Sequence, residues 1–135
     1  MQYNALITQQ ELTKMLRTCS DSAPGEDLIT YSMMKNLHPS AIQELTSIIN
    51  EFWTRGEYPN EWRKGIVLSF SKQNKDPSQK TSYRPIALTS SVGKLVEKIV
   101  NVRLVRTLEE TNSISDLQFG FRKHRSTVDL SLIHI

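Results

Sequence analysis

The chain has 135 residues and a single cysteine, Cys19, so neither an internal disulfide nor a cysteine metal cage is available. That usage fits a reducing compartment. Its three histidines, His38, His124 and His134, are scattered without metal-type spacing. No stretch approaches the roughly 18 to 20 consecutive apolar residues that a bilayer requires, so no membrane contact is expected. The opening Met1-Gln2-Tyr3-Asn4 lacks a basic flank and an apolar run, so no secretory signal is expected. An intracellular location, nucleus or cytoplasm, follows as the expectation. The five aspartates, Asp21, Asp27, Asp76, Asp116 and Asp129, fall in polar turns or at a helix start. No pair of them is expected to converge on catalytic metal ions. Hydrophobic residues make up 38% of the chain, enough for a modest core in one domain.

Charge is present, and it is uneven. Residues 1–60 carry four Lys/Arg against seven Asp/Glu, whereas residues 61–135 carry thirteen against seven. The net charge of +3 therefore sits in a strongly basic second half. A basic half points to a polyanionic partner, most often nucleic acid, or to a solvated basic surface.

Periodicity predicts an α+β chain that is mostly helical. Thr8-Gln9-Gln10-Glu11 reads as a capping box, with Glu11 reaching back to the cap. The helix behind it presents Leu12, Met15 and Leu16 on one face. Ser20 to Gly25 breaks it, and a weaker helical stretch covers Leu28 to Leu37. Pro39 opens the clearest helix, with Ile42, Leu45, Ile48, Ile49, Phe52 and Trp53 at three- and four-residue steps as core. Gly56 stands where a left-handed residue would end it. After a turn around Trp62, residues 66–88 read as two extended arms joined by a basic loop, an extended hairpin. Ser90 or Ser91 caps a long helix over 92–110, with Val92, Leu95, Val96, Ile99, Val100, Leu104, Val105 and Leu108 on one stripe. Ser126 is placed to cap a last helix through Asp129.

Three segments carry candidate chemistry. Lys72, Lys75 and Lys80 on the hairpin tip have the charge to fold over a phosphate chain, or form an ordinary solvated turn. Arg84, held by Pro85, has the fork that grips a triphosphate through bidentate bonds, or is a surface arginine at a strand start. In Gln118 to Thr127, Phe119 and Phe121 alternate with Arg122, Lys123 and Arg125 before a helix start. That pattern suits base stacking and phosphate contact, or two core anchors with solvated arginines.

Taken together and in order, these segments resemble the reverse transcriptase of non-long-terminal-repeat (LINE-like) retrotransposons from about Ser22 to Asp129. Ser22-Ala23-Pro24-Gly25-x-Asp27 resembles the opening turn of that family. Phe52-Trp53-x-x-Gly56-x-x-Pro59-x-x-Trp62-Arg63 resembles its passage toward the fingers. Lys72-x-x-Lys75-Asp76-Pro77 and Ser82-Tyr83-Arg84-Pro85-Ile86-x-Leu88-Thr89-Ser90 are similar to its fingers motif. Lys94 through Leu104 matches the helix that follows, and Gln118 through Asp129 the motif before the palm. Two departures stand out: Leu28 where the family has glycine, and Gln73-Asn74 where it has Pro-Gly.

The resemblance implies the fingers portion of a right-hand polymerase, with palm and thumb absent. Lys72, Lys75 and Arg84 would contact the incoming deoxynucleotide triphosphate, and Arg122 and Arg125 would lie near the template or support the fingers. The parent enzyme would use an RNA template, a DNA primer and magnesium. This chain would hold no cofactor and no catalytic residue of its own, because the family's metal-binding aspartates come after the position of Asp129. Residues 1–129 are therefore expected to be a partial, marginally stable domain that is inactive alone. The rival expectations are a non-enzymatic basic RNA-binding module and a functionless truncated product. The last six residues, 130–135, match one reading frame of a transposase adapter used in sequencing libraries and are expected to be a non-native tail.

Overall fold

A computed structural model describes residues 3–122 and 125. Among them the fold is α+β, with five α-helices and one two-stranded antiparallel hairpin. The helix expected from Ser126 and the tail 130–135 lie outside the described residues.

Helix α1 (Gln9–Arg17) starts where the Thr8 hydroxyl accepts from the Glu11 N–H at 3.1 Å. The reciprocal half of the expected capping box is replaced, because the Glu11 carboxylate turns to Arg103 instead. An arginine offers two charge-assisted bonds where a backbone amide offers one neutral donor. Helix α2 (Tyr31–Lys35) is shorter than the expected Leu28–Leu37 stretch. Thr30 caps it through the Met33 N–H, and Leu28 stands outside it with φ +57°. Helix α3 (Pro39–Arg55) ends at Gly56 with φ +66°, the left-handed stop anticipated from sequence. A single turn, α4 (Asn60–Arg63), then leads into strand β1 (Gly65–Ser71). Strand β2 (Tyr83–Thr89) returns, and α5 (Ser91–Glu110) follows with the Ser90 hydroxyl on the Gly93 N–H.

The core lies where α1, α2, α3 and α5 meet. Leu12 and Leu16 face Tyr31 and Met34, Ile42 and Ile49, and Val92, Leu95, Val96 and Ile99. Burial pushes the Tyr31 phenol up to about 12. Of the α3 stripe, Ile42 and Ile49 are buried, Leu45 packs against the core, and Ile48 is exposed. A six-residue stripe is wider than the face one neighbouring layer covers. The α5 stripe behaves likewise, with Leu104 exposed beyond the packed part of the helix.

The chain before α1 is tied down by polar groups. The Asn50 amide accepts from the Ile7 N–H and donates to the Ile7 carbonyl, both at 2.8 Å. Arg103 forks onto Glu11, with Nε at 2.8 Å and Nη2 at 2.5 Å, and donates to the carbonyls of Tyr3, Ala5 and Leu6. No helix among the described residues is long and apolar enough to cross a membrane.

Candidate functional site

The hairpin is built by alternation and by a polar turn. Pairing runs from Gly65 opposite Thr89 to Ser71 opposite Tyr83, with Phe70 opposite Arg84. Residues directly opposed in an antiparallel pair share a face. Ile66, Leu68 and Phe70 therefore lie on one face with Leu88, Ile86 and Arg84. Every β1 residue is exposed, and Phe70 is 51% exposed. The short apolar run that marks β1 in the sequence is thus a surface feature.

Beyond the strands the tip is ordered by local bonds. The Lys72 N–H donates to the Ser82 carbonyl at 2.7 Å, and its Nζ to the Thr81 carbonyl at 2.8 Å. The Asp76 carboxylate accepts from the Ser78 N–H at 2.9 Å and from its hydroxyl at 2.7 Å. Those bonds hold the Asp76 carboxyl below the usual carboxylate range. The Tyr83 hydroxyl donates to the Pro77 carbonyl at 3.0 Å. Asn74 takes φ +59°, so asparagine supplies the left-handed residue of this loop. Lys75 and Arg84 are exposed, and Lys72 is half-buried. The three expected nucleotide-contacting cations therefore belong to the distal half of one hairpin.

The hairpin is anchored at its other end. At Gly25 an added Cβ would fall 2.7 Å from the Ser90 nitrogen and 2.7 Å from the Thr89 carbonyl carbon. The Pro24-Gly25 turn therefore lies directly on the exit of β2, where only a residue without a side chain fits. Leu28, three residues on, adopts the left-handed backbone that favours glycine.

Arg122 and Arg125 occupy a second place, the loop after α5. Arg122 forks onto Glu109, with Nε at 2.9 Å and Nη2 at 2.6 Å, and Nη1 donates to the Ser115 carbonyl at 2.9 Å. Its side chain is only 9% exposed. The hydrogen bond from Arg122 holds the Glu109 carboxyl below its ordinary range, and Glu109 in turn raises Arg122. Arg125 lies 5.2 Å over the Phe119 ring and pairs with Asp116 at 3.0 Å. Phe119 is half-buried beneath that arginine, whereas Phe121 is fully exposed at φ +63°. The two aromatics thus differ, one packed and one displayed. Lys123 and His124 lie outside the described residues.

No hydrogen bond or ion pair links the hairpin cations to Arg122 or Arg125 among the described residues. Two partners were invisible to sequence reasoning: Phe70 opposite Arg84, and Glu109 beneath Arg122. Strand register is the signal that finds the first. The second needs the loop folded back over thirteen residues. Among the described residues no group of three or more His, Cys, Asp or Glu is placed to hold a metal ion.

No protein-family model matches the chain. Individual relatives do. The chain is 33% identical over 115 residues to a probable RNA-directed DNA polymerase from transposon X-element of Drosophila melanogaster, covering 85% of this chain and 13% of the relative. It is 35% identical over 122 residues to the RNA-directed DNA polymerase from mobile element jockey of the same fly, covering 90% and 13%. A probable polymerase from transposon BS, also of Drosophila melanogaster, is 36% identical over 124 residues, covering 91% and 14%. The chain thus spans about one-seventh of the length of these relatives. Over about nine-tenths of its length the chain is thus homologous to one segment of RNA-directed DNA polymerases from non-LTR retrotransposons.

Proposed function

We propose that this chain is the fingers segment of a retrotransposon RNA-directed DNA polymerase. Lys72, Lys75 and Arg84 bind the triphosphate of an incoming deoxynucleotide. The observation that carries this reading is the placement of all three on the distal half of a solvent-facing hairpin, in a segment matched to polymerases. A guanidinium offers the bidentate geometry that phosphate oxygens accept, and lysine adds a compact charge. Arg125, half-exposed above Phe119, lies on the template side. Arg122 supports it by folding the loop back onto Glu109. RNA template and DNA primer are the partners of the assembled enzyme. Magnesium is held there by aspartates of the palm, which follows the position of Asp129.

Nucleotidyl transfer needs the ions as well as the positioning groups. The 135-residue chain alone, given magnesium, primer, RNA template and nucleotides, is therefore expected to make no product. Joined to its downstream palm segment it is expected to extend the primer. In that polypeptide Arg84→Ala raises KM for the nucleotide at least about tenfold, the loss of one charge-assisted contact, and leaves template affinity unchanged. An unchanged nucleotide KM would remove the triphosphate assignment, and synthesis by the short chain alone would remove the fragment reading.

A further inference from the structure

Away from the hairpin cations, a groove of about 890 Å³ runs between α3, α4 and α5. Phe52, Trp53, Tyr58 and Trp62 line it, and among the described residues the charged ones in its wall are Glu57 and Glu97. Phe52 and Tyr58 each meet Trp62 edge to face, at 5.7 and 5.6 Å between ring centres. The Tyr58 hydroxyl donates to Glu97 at 2.8 Å, which fixes that carboxylate at the wall. The groove is therefore concave, apolar and negative, in a chain whose net charge is +3. A surface of that kind suits an occupant that is convex, apolar and positive.

The molecule itself carries such a surface. The hairpin face of Ile66, Leu68, Phe70 and Ile86 is exposed, with Arg84 opposite Phe70 and Lys72 just beyond it. A chain cannot seat its own hairpin in its own groove. Strand β1 starts two residues after α4, and Phe70 stands five residues further out, about 17 Å at strand rise. A paired ribbon of that length does not fold back on its root.

We propose that the groove receives the hairpin of a second copy of this chain. Phe70 packs against the aromatic wall, and Arg84 and Lys72 come to rest beside Glu57 and Glu97. Two different surfaces meet, so the contact is heterologous. The inference does not depend on the polymerase reading, because it uses only shape, apolarity and charge.

Sedimentation velocity of the full chain over rising concentration tests it. The weight-average sedimentation coefficient is expected to rise with concentration and to fall back when salt is raised. Phe70→Asp, on the exposed hairpin, and Glu57→Lys, on the exposed groove rim, are each expected to weaken association at least about tenfold. Both are expected to keep the helical circular dichroism of the parent chain. Mixed one to one, the two variants associate again, because one retains an intact groove and the other an intact hairpin. Pairing of hairpins edge to edge would survive Glu57→Lys and would overturn the proposal. So would a chain that stays monomeric at every concentration, or a mixture that associates no better than either variant alone.

Discussion

Leu12 and Leu95 are wholly buried, yet Val67 in β1 is 64% exposed, although all three are aliphatic residues in regular elements. The helical body hides its apolar stripe because four helices bring their stripes to one place. Among the described residues the hairpin has two strands and no third layer, so its faces stay exposed except at the root, where Leu88 and Thr89 are half-buried. Apolar periodicity therefore says which residues share a face. Whether that face is covered depends on how many elements arrive to cover it. In the body, apolar residues contribute to stability. In the hairpin they contribute a surface.

Removing core volume is the severest way to probe that contrast. Leu95→Ala is expected to cost about 2–5 kcal/mol, because its fully buried side chain leaves a cavity. Leu68→Ala, on the exposed hairpin, is expected to cost less than about 1 kcal/mol. Urea unfolding followed by circular dichroism compares the two. Equal costs would mean that the hairpin face is covered.

A smaller effect is expected where a charge joins parts of the body. Arg103→Ala leaves the half-buried Glu11 carboxylate and three backbone carbonyls without their donor. The expected loss is about 2–3 kcal/mol, below that of a fully buried pair because both partners keep some solvent. The same unfolding measurement reads it. Arg55→Ala breaks an exposed pair with Glu51 and serves as the near-neutral control.

A gain is expected at Leu28. Its φ of +57° is a region that costs a side-chain-bearing residue about 1–2 kcal/mol, and its side chain is exposed. Glycine relieves that cost but adds freedom to the unfolded chain. Leu28→Gly should therefore raise the urea midpoint by an amount worth about 0.5–1 kcal/mol.

The smallest effect concerns the loop after α5. Arg122 depresses the Glu109 carboxyl in the folded state. A depressed carboxyl stabilises the fold at pH values above its unfolded value, near 4.5, and loses that contribution as pH falls through the lower folded value. Glu109→Gln should therefore be less stable than the parent at neutral pH, with the gap closing below about pH 4. Unfolding curves at pH 7 and pH 3 check the sign.

Local signals were legible because their partners are near in sequence. Thr8, Ser90 and Gly56 act within a turn of their own helices, and the hairpin arms flank a short polar loop. Lys72, Lys75 and Arg84 could be assigned to that hairpin for the same reason. Ile48 could not be separated from Ile49 as surface from core, since both sit on the apolar side of α3. Nor could Arg122 be recognised as half of an ion pair, because its carboxylate belongs to the preceding helix.

Charge distribution and periodicity thus determined most of the helices, the caps at Thr8 and Ser90, the stop at Gly56 and the basic hairpin, and short motifs in order carried the family resemblance, all of which depend on short-range stereochemistry and residue type. Tertiary structure alone decided that Glu11 serves Arg103, ninety-two residues away, and that Gly25 must be bare to lie on the exit of β2. It also decided that the apolar hairpin face stays in solvent while an acidic aromatic groove opens behind it. Those outcomes depend on which surfaces meet across the whole fold, and no window of neighbouring residues contains that information.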